Sequence, residues 1–175
     1  MKFSPFPILQ TNRLQLRQLE KNDSAEVKFL RSDELVNTYV KRPKTNTIEE
    51  AIHFINKINT GIEQGDWVFW GITIKGNPKL IGTICLWNFS EDKKNAEIGY
   101  DLHTSFHKKG IMNEALTCIL DYGFTTLQLH TIEAYTHQNN EASKNLLIRN
   151  NFKLLPNKTD PDNVDNIIFS LHKLS

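Results

Sequence analysis

The 175-residue chain is 39% apolar and 10% aromatic, enough for one packed core and short for two, so residues 1–175 read as a single domain. Its 21 Lys and Arg stand against 20 Asp and Glu, so no overall basic field points to nucleic acid or an anionic membrane, and any anion must be bound locally. The longest strongly apolar run, Trp67 to Ile74, is far short of the roughly 20 residues that cross a bilayer, and the amino terminus carries no signal-peptide pattern, which sets the expectation of a cytoplasmic address.

Leu14, Leu16 and Leu19, interleaved with Arg13, Gln15 and Arg17, predict a strand. Asn22-Asp23-Ser24 followed by Glu26 then predicts a capped helix within residues 23–38. A second capping box, Thr47-x-x-Glu50, opens the clearest amphipathic helix, with Ile48, Ala51, Ile52, Ile55, Ile58 and Ile62 on one face and Gly65 at its end. Three strand-like runs follow, Trp67 to Ile74, Leu80 to Trp87 and Ala96 to Leu102, and the turn residues between them predict an antiparallel meander.

The period then changes. Ile111 to Phe124 reads as helix, Thr131 to Thr136 as strand, Glu141 to Arg149 as helix ended by Asn150-Asn151 in a left-handed turn, and Ile167 to Leu171 as strand. Paired strands followed by strands joined through helices predict an α/β (α+β) domain, with helices on both faces of one mixed sheet. Cys85 and Cys118 lack any metal-like spacing and are expected to be buried free thiols.

The stretch from Ala96 to Ala115 carries the chemistry: a strand, a polar loop and a helix start. Gly110 frees the loop, and the first turn of the helix leaves unpaired N–H groups beside the positive end of the macrodipole, which is a ready anion site. Lys108 and Lys109 oppose that dipole by about 0.3–1 kcal/mol unless an anion joins them. A solvated lysine pair before an ordinary helix is the other reading. Neither GxxxxGK[ST] nor GxGxxG occurs, so a phosphate-bearing ligand of another kind is required. His103 and His107 sit four apart in a loop with no third ligand nearby, and no metal is expected.

His107-Lys108-Lys109-Gly110-Ile111-Met112 resembles the coenzyme A motif of the GNAT acetyltransferases, R/Q-x-x-G-x-G/A. His107 replaces the usual Arg or Gln, and Met112 the second Gly or Ala. Thr11-Asn12-Arg13-Leu14-x-Leu16-Arg17 and Leu80-Ile81-Gly82-Thr83-Ile84 resemble the opening and middle strands of the ribosomal-protein-alanine N-acetyltransferase branch. Asn140-Glu141-Ala142-Ser143, Leu146-Leu147 and Asn151-Phe152 are similar to the family's Asn-x-x-Ser and Gly-Phe signatures, so the likeness spans nearly the whole chain.

The resemblance implies the GNAT acyl-CoA N-acyltransferase fold, with a mixed, mostly antiparallel central sheet. It implies acetyl-CoA as co-substrate, no metal, and direct attack on the thioester by a primary amine, either a protein N-terminus or a small molecule. A monomer or homodimer is expected. His107, Lys108, Lys109, Gly110, Ile111, Met112 and Asn113 would hold the pyrophosphate; the strand at Tyr100, Asp101 and Leu102 would splay from its neighbour and pair with pantetheine; Asn140 and Ser143 would face that arm. Without the family, Asn140 is simply a helix N-cap and Ser143 a first-turn residue.

Several family members use a carboxylate from the strand that holds Glu97, which makes Glu97 the candidate general base; an exposed strand glutamate is the alternative. Many relatives use a Tyr acid shortly after the Asn-bearing helix, whereas this chain offers Phe152 there and no Tyr. Ser143 is then the candidate acid. Trp87 is the aromatic residue expected to wall the acceptor site, the others being core. A non-catalytic acyl-CoA sensor is the alternative that the missing Tyr would suit.

Overall fold

Thr47 sits in extended backbone, its hydroxyl accepts the Glu50 N–H at 3.1 Å, and Glu50 reaches back to the Thr47 amide, so the capping box forms as the sequence predicts. It opens a helix over Ile48–Gln64 that ends at Gly65 in the left-handed region. The computed structural model describes residues 3–173. Among them are four α-helices: α1 Ser24–Ser32, α2 Ile48–Gln64, α3 Ile111–Asp121 and α4 Glu141–Arg149. The strands are β1 Leu9–Gln10, β2 Leu14–Arg17, β3 Val68–Ile74, β4 Leu80–Trp87, β5 Asn95–Leu102, β6 Thr131–His137, β7 Lys153–Leu154 and β8 Asn166–His172.

The strands form one sheet in the order β1-β2-β3-β4-β5-β6-β8-β7. Every pairing is antiparallel except β5 with β6. That single parallel pair is joined by a crossover through α3, since a hairpin cannot connect parallel strands.

Helices cover both faces, and the register shows which is which. Trp70, Ile84 and Tyr100 are cross-strand partners and share one face, while Phe69, Cys85 and Gly99 share the other. Phe54 of α2 meets Phe69 edge-on at 6.1 Å; Tyr122, just beyond α3, meets Trp70 at 5.4 Å. Hence α1 and α2 lie on one side, α3 and α4 on the other. Trp70 is fully buried, and its indole N–H donates to the Pro7 carbonyl at 2.7 Å, which satisfies the one polar atom taken into the core.

Four local expectations are corrected. The first helix ends at Ser32, because Asp33 turns to extended backbone and its carboxylate accepts the Val36 N–H at 2.9 Å. Asp23 does not box with Glu26; it accepts from the Glu20 amide and ion-pairs with Arg17 at 2.7 Å. Ile48 is 37% exposed, since it precedes the part of α2 that reaches the core. After Asp121 the third helix widens into a π-helical turn, Tyr122–Thr126, where a Cβ on Gly123 would lie 2.9 Å from Ile132. The left-handed turn after α4 forms at Asn151, φ 65°. Cys85 and Cys118 are free and partly buried, and burial pushes both thiols up from their ordinary range. Among the described residues no helix is long and apolar enough to cross a membrane.

Candidate active site

The parallel pairing of β5 with β6 runs from Asn95↔Thr131 to Ile98↔Ala134 and stops, although both strands continue. Beyond that point the sheet opens. The His103 N–H donates to the Ile81 carbonyl at 2.8 Å, which makes Leu102↔Gly82 a non-hydrogen-bonded pair. Alternation then turns the backbone groups of Tyr100 and Leu102 away from β4 and into the opening. The backbone groups of Asp101 point to β4 instead. Of the three residues expected to present backbone in the gap, Tyr100 and Leu102 do so and Asp101 does not.

A cavity of about 390 Å³ lies over the opening. Tyr100 and Leu102 form its floor, the loop from Phe106 through Gly110 and the start of α3 form one wall, and Asn140, Ser143 and Arg149 of the α4 segment form the other. Gly110 adopts φ 73° and Lys108 φ 59°, a tight left-handed turn that aims the first amides of α3. The N–H groups of Ile111, Met112 and Asn113 have no intrahelical acceptor by position, and all three residues line the cavity. Lys108 lines it too. Lys109 does not: its carbonyl is held outside by Arg13, and its ammonium lies over the Phe106 ring at 5.4 Å.

Two braces hold this loop. The His107 Nε2–H donates to the Leu102 carbonyl at 2.9 Å, tying the loop to the end of β5. On its outer side Arg13 donates to Lys109 O at 3.0 Å and to Glu114 at 2.6 Å, and Thr11 also donates to Glu114. Burial alone raises the Glu114 carboxyl, but the hydrogen bonds from Thr11, the Arg13 amide and the Arg13 guanidinium outweigh it and hold the group below the ordinary carboxylate range. In the sequence Arg13 reads only as part of a strand motif. Its partner lies 101 residues away, so no local pattern could disclose the contact.

On the other wall the Asn140 side chain accepts the Ser143 N–H at 3.1 Å, the N-cap geometry. The Ser143 hydroxyl stands 2.8 Å from the Tyr100 hydroxyl. Asn150, at the far end of α4, donates to the Asn113 side chain at 2.9 Å and so joins the two walls.

Glu97, Trp87 and Asp101 lie on the opposite, α1–α2 face of the sheet. Trp87 is 45% exposed and directly opposite Glu97 in the register. Asp101 is tied to Arg42 at 3.0 Å and accepts from the Thr83 hydroxyl at 2.6 Å, so its carboxylate has a structural partner. Glu133, the partner of Glu97 on β6, is likewise neutralised by Lys158. Glu97 differs: among the described residues it has no cation at ion-pair distance, and its carboxylate accepts from the Asn88 amide at 2.6 Å. Burial pushes its pKa up, and the Glu133 charge adds to that, against the Asn88 hydrogen bond. His103, discounted as a ligand, stacks on Phe29 at 4.3 Å and accepts the Ser105 N–H through Nδ1.

A mixed sheet that opens between two parallel strands, with a glycine turn and a helix start facing the gap, defines the class of acyl-coenzyme A N-acyltransferases. The comparisons agree. The model of the acetyltransferase (GNAT) domain matches residues 13–153. The N-acetyltransferase YoaA of Bacillus subtilis is 32% identical over 148 residues, 85% of this chain and 84% of that protein. The chain belongs to the GNAT acetyltransferase family and is an acyltransferase.

Among solved structures, the ribosomal-protein-S5-alanine acetyltransferase of Vibrio fischeri superposes with a TM-score of 0.81 at 19% identity, over 95% of this chain and 96% of that one. A ribosomal L7/L12 α-N-protein acetyltransferase solved with coenzyme A superposes with a TM-score of 0.79 at 18% identity, over 95% and 98%. These two likenesses establish the fold.

Proposed function

We propose that this acetyltransferase moves the acetyl group of acetyl-CoA directly onto a primary amine, the N-terminus of a protein or a small molecule. The observation that carries the reading is the shared strand: β5 offers Tyr100 and Leu102 to the cavity on one face and Glu97 to the other. Donor and acceptor then approach one opening from opposite sides.

The residues support each step. The amides of Ile111 to Asn113, with Lys108, suit a pyrophosphate, since charge-assisted bonds at a helix start favour a bound anion. A pantetheine arm leaving that site along the cavity would meet the edge of β5 at the backbone groups of Tyr100 and the Leu102 N–H, the Leu102 carbonyl being held by His107. There the Tyr100 N–H supplies a donor for the oxyanion that develops as the amine attacks. Glu97 receives one proton from the incoming ammonium, directly or through a water, so that a neutral amine attacks, and the second N–H proton passes to solvent as the tetrahedral intermediate collapses to the amide; a raised pKa suits Glu97 to that exchange. As the carbon–sulfur bond breaks, its electron pair leaves on sulfur, and the Ser143 hydroxyl donates a hydrogen bond to the departing thiolate. Trp87, beside Glu97, forms the wall against which the acceptor is held.

The test pairs coenzyme A binding with thiol release from acetyl-CoA, with and without a panel of amines and amino-terminal peptides. Binding with amine-stimulated release supports the proposal and begins to identify the acceptor. Binding without release by any amine in the panel would instead support a sensor, and no binding would overturn the donor assignment.

A further inference from the structure

Resting on the reading above, in which Ser143 faces the leaving sulfur, we infer that Tyr100 is a positioning residue: its phenol O–H donates to Ser143 Oγ and so turns the serine's own hydrogen toward the thiolate. The observation is the 2.8 Å contact between the two hydroxyls, one on β5 and one on α4, both lining the cavity.

Two features settle which atom donates. A phenol is a better donor and a poorer acceptor than an aliphatic hydroxyl, and Ser143 Oγ is the one hydrogen-bond partner of this phenol among the described residues. The serine, for its part, has no competing acceptor in its own helix. Ser32, Thr117 and Thr125 all donate to the carbonyl four residues back. Ser143 lies in the first turn of α4, the residue four before it precedes the helix, and no such bond forms. With its oxygen accepting from Tyr100 and no backbone acceptor taken, its hydrogen is left for the cavity.

The pair donates a hydrogen bond, not a proton. Burial pushes the Tyr100 phenol up to about 12, with the Ser143 hydrogen bond opposing. A thiol's reference value is about 8.5, so moving the phenol proton through Ser143 onto the sulfur would run several pH units uphill. The electron pair of the broken bond therefore stays on sulfur, stabilised by Ser143 O–H. The thiolate takes its proton from solvent after release, and both protons lost by the amine reach solvent, one of them through Glu97.

The experiment needs no knowledge of the acceptor. Coenzyme A enriched with carbon-13 beside the sulfur is bound to the enzyme, and its thiol is titrated by NMR. The thiol should titrate about one pH unit higher in Tyr100→Phe than in the wild type, the size of one hydrogen bond to a charged group. Ser143→Ala should raise it at least as far, and the double variant no further than Ser143→Ala alone. Fluorotyrosine at position 100, a stronger donor of nearly the same shape, should shift the titration downward, which a packing role would not do. An unmoved titration in Tyr100→Phe, or additive effects of the two substitutions, overturns the inference while leaving the donor assignment standing. Wild-type protein that binds no coenzyme A overturns both.

Discussion

Arg13 and Glu114 stand 101 residues apart in the chain and 2.6 Å apart in the fold, Nε to Oε2. The contact fastens the entry to β2 onto the first turn of α3, and the same guanidinium holds the Lys109 carbonyl. A Cβ added to Gly110 would lie 3.4 Å from Arg13 Nη2, so arginine and glycine turn are packed as one unit. An electrostatic pair on the outside thereby holds the glycine turn that faces the cavity on the inside.

Replacing Glu114 by Gln should weaken coenzyme A binding about tenfold and lower stability by about 1 kcal/mol, the scale of a partly exposed charge-assisted pair. Calorimetric titration with coenzyme A and thermal unfolding measure the two effects. The pH dependence has a definite sign. Glu114 is held below its unfolded value of about 4.3, so its contribution is present above that pH and lost as pH falls through the lower folded value. The stability gap between wild type and Glu114→Gln should be full at neutral pH and close on acidification; a gap that persists in acid would show that the charge does not matter.

Glu97 leads to a kinetic prediction. Its pKa is raised chiefly by burial, so the carboxylate form needed to accept a proton is gained at higher pH than for a free glutamate. The rate should rise with pH along a limb governed by this group, and Glu97→Gln should remove that limb and lower kcat about a hundredfold, within the usual range for general-base loss. Coenzyme A affinity should stay unchanged, because Glu97 lies on the face away from the cavity. A wild-type pH limb surviving in Glu97→Gln would dismiss the assignment.

Trp87 tests the proposed division between an acceptor side and a donor side. It is 45% exposed, so Trp87→Ala should change stability by no more than about 0.5 kcal/mol. It should raise the acceptor's KM several-fold while the KM for acetyl-CoA holds. Equal effects on both constants would place Trp87 outside the acceptor site.

Gly61 tests packing against propensity. Ala is favoured over Gly in a helix by about 1 kcal/mol, yet a Cβ here would lie 2.0 Å from the Trp67 ring, whose N–H donates to Ile58 O at 2.9 Å. Overpacking of this kind costs about 1–3 kcal/mol and should win, so Gly61→Ala lowers Tm by a few degrees. A higher Tm would mean that the indole moves aside without loss.

Much of the fold was legible because it depends on local chemistry. The Thr47–Glu50 box, the Gly65 stop, the apolar run that forms Val68–Ile74 and the left-handed Asn151 each need only their neighbours in the chain. Where a side chain had a stronger partner outside its motif, local reading failed: Asp23 does precede the first helix, but its carboxylate serves Arg17 and not a box with Glu26.

The same division runs through the site. The chain alone determined that a glycine turn with lysines precedes a helix, and that Glu97 and Tyr100 share one strand while Ser143 opens a later helix, since residue types and spacing are properties of the sequence. Only the tertiary structure decided that β5 and β6 part after Ile98↔Ala134, which selects Tyr100 and Leu102 over Asp101 for the opening. It alone set Glu97 and Trp87 on one face and the cavity on the other, and joined Tyr100 to Ser143 across 43 positions. The physical reason is that a strand's two faces and its hydrogen-bonding edge are assigned by register, and register is settled between segments that are distant in the chain.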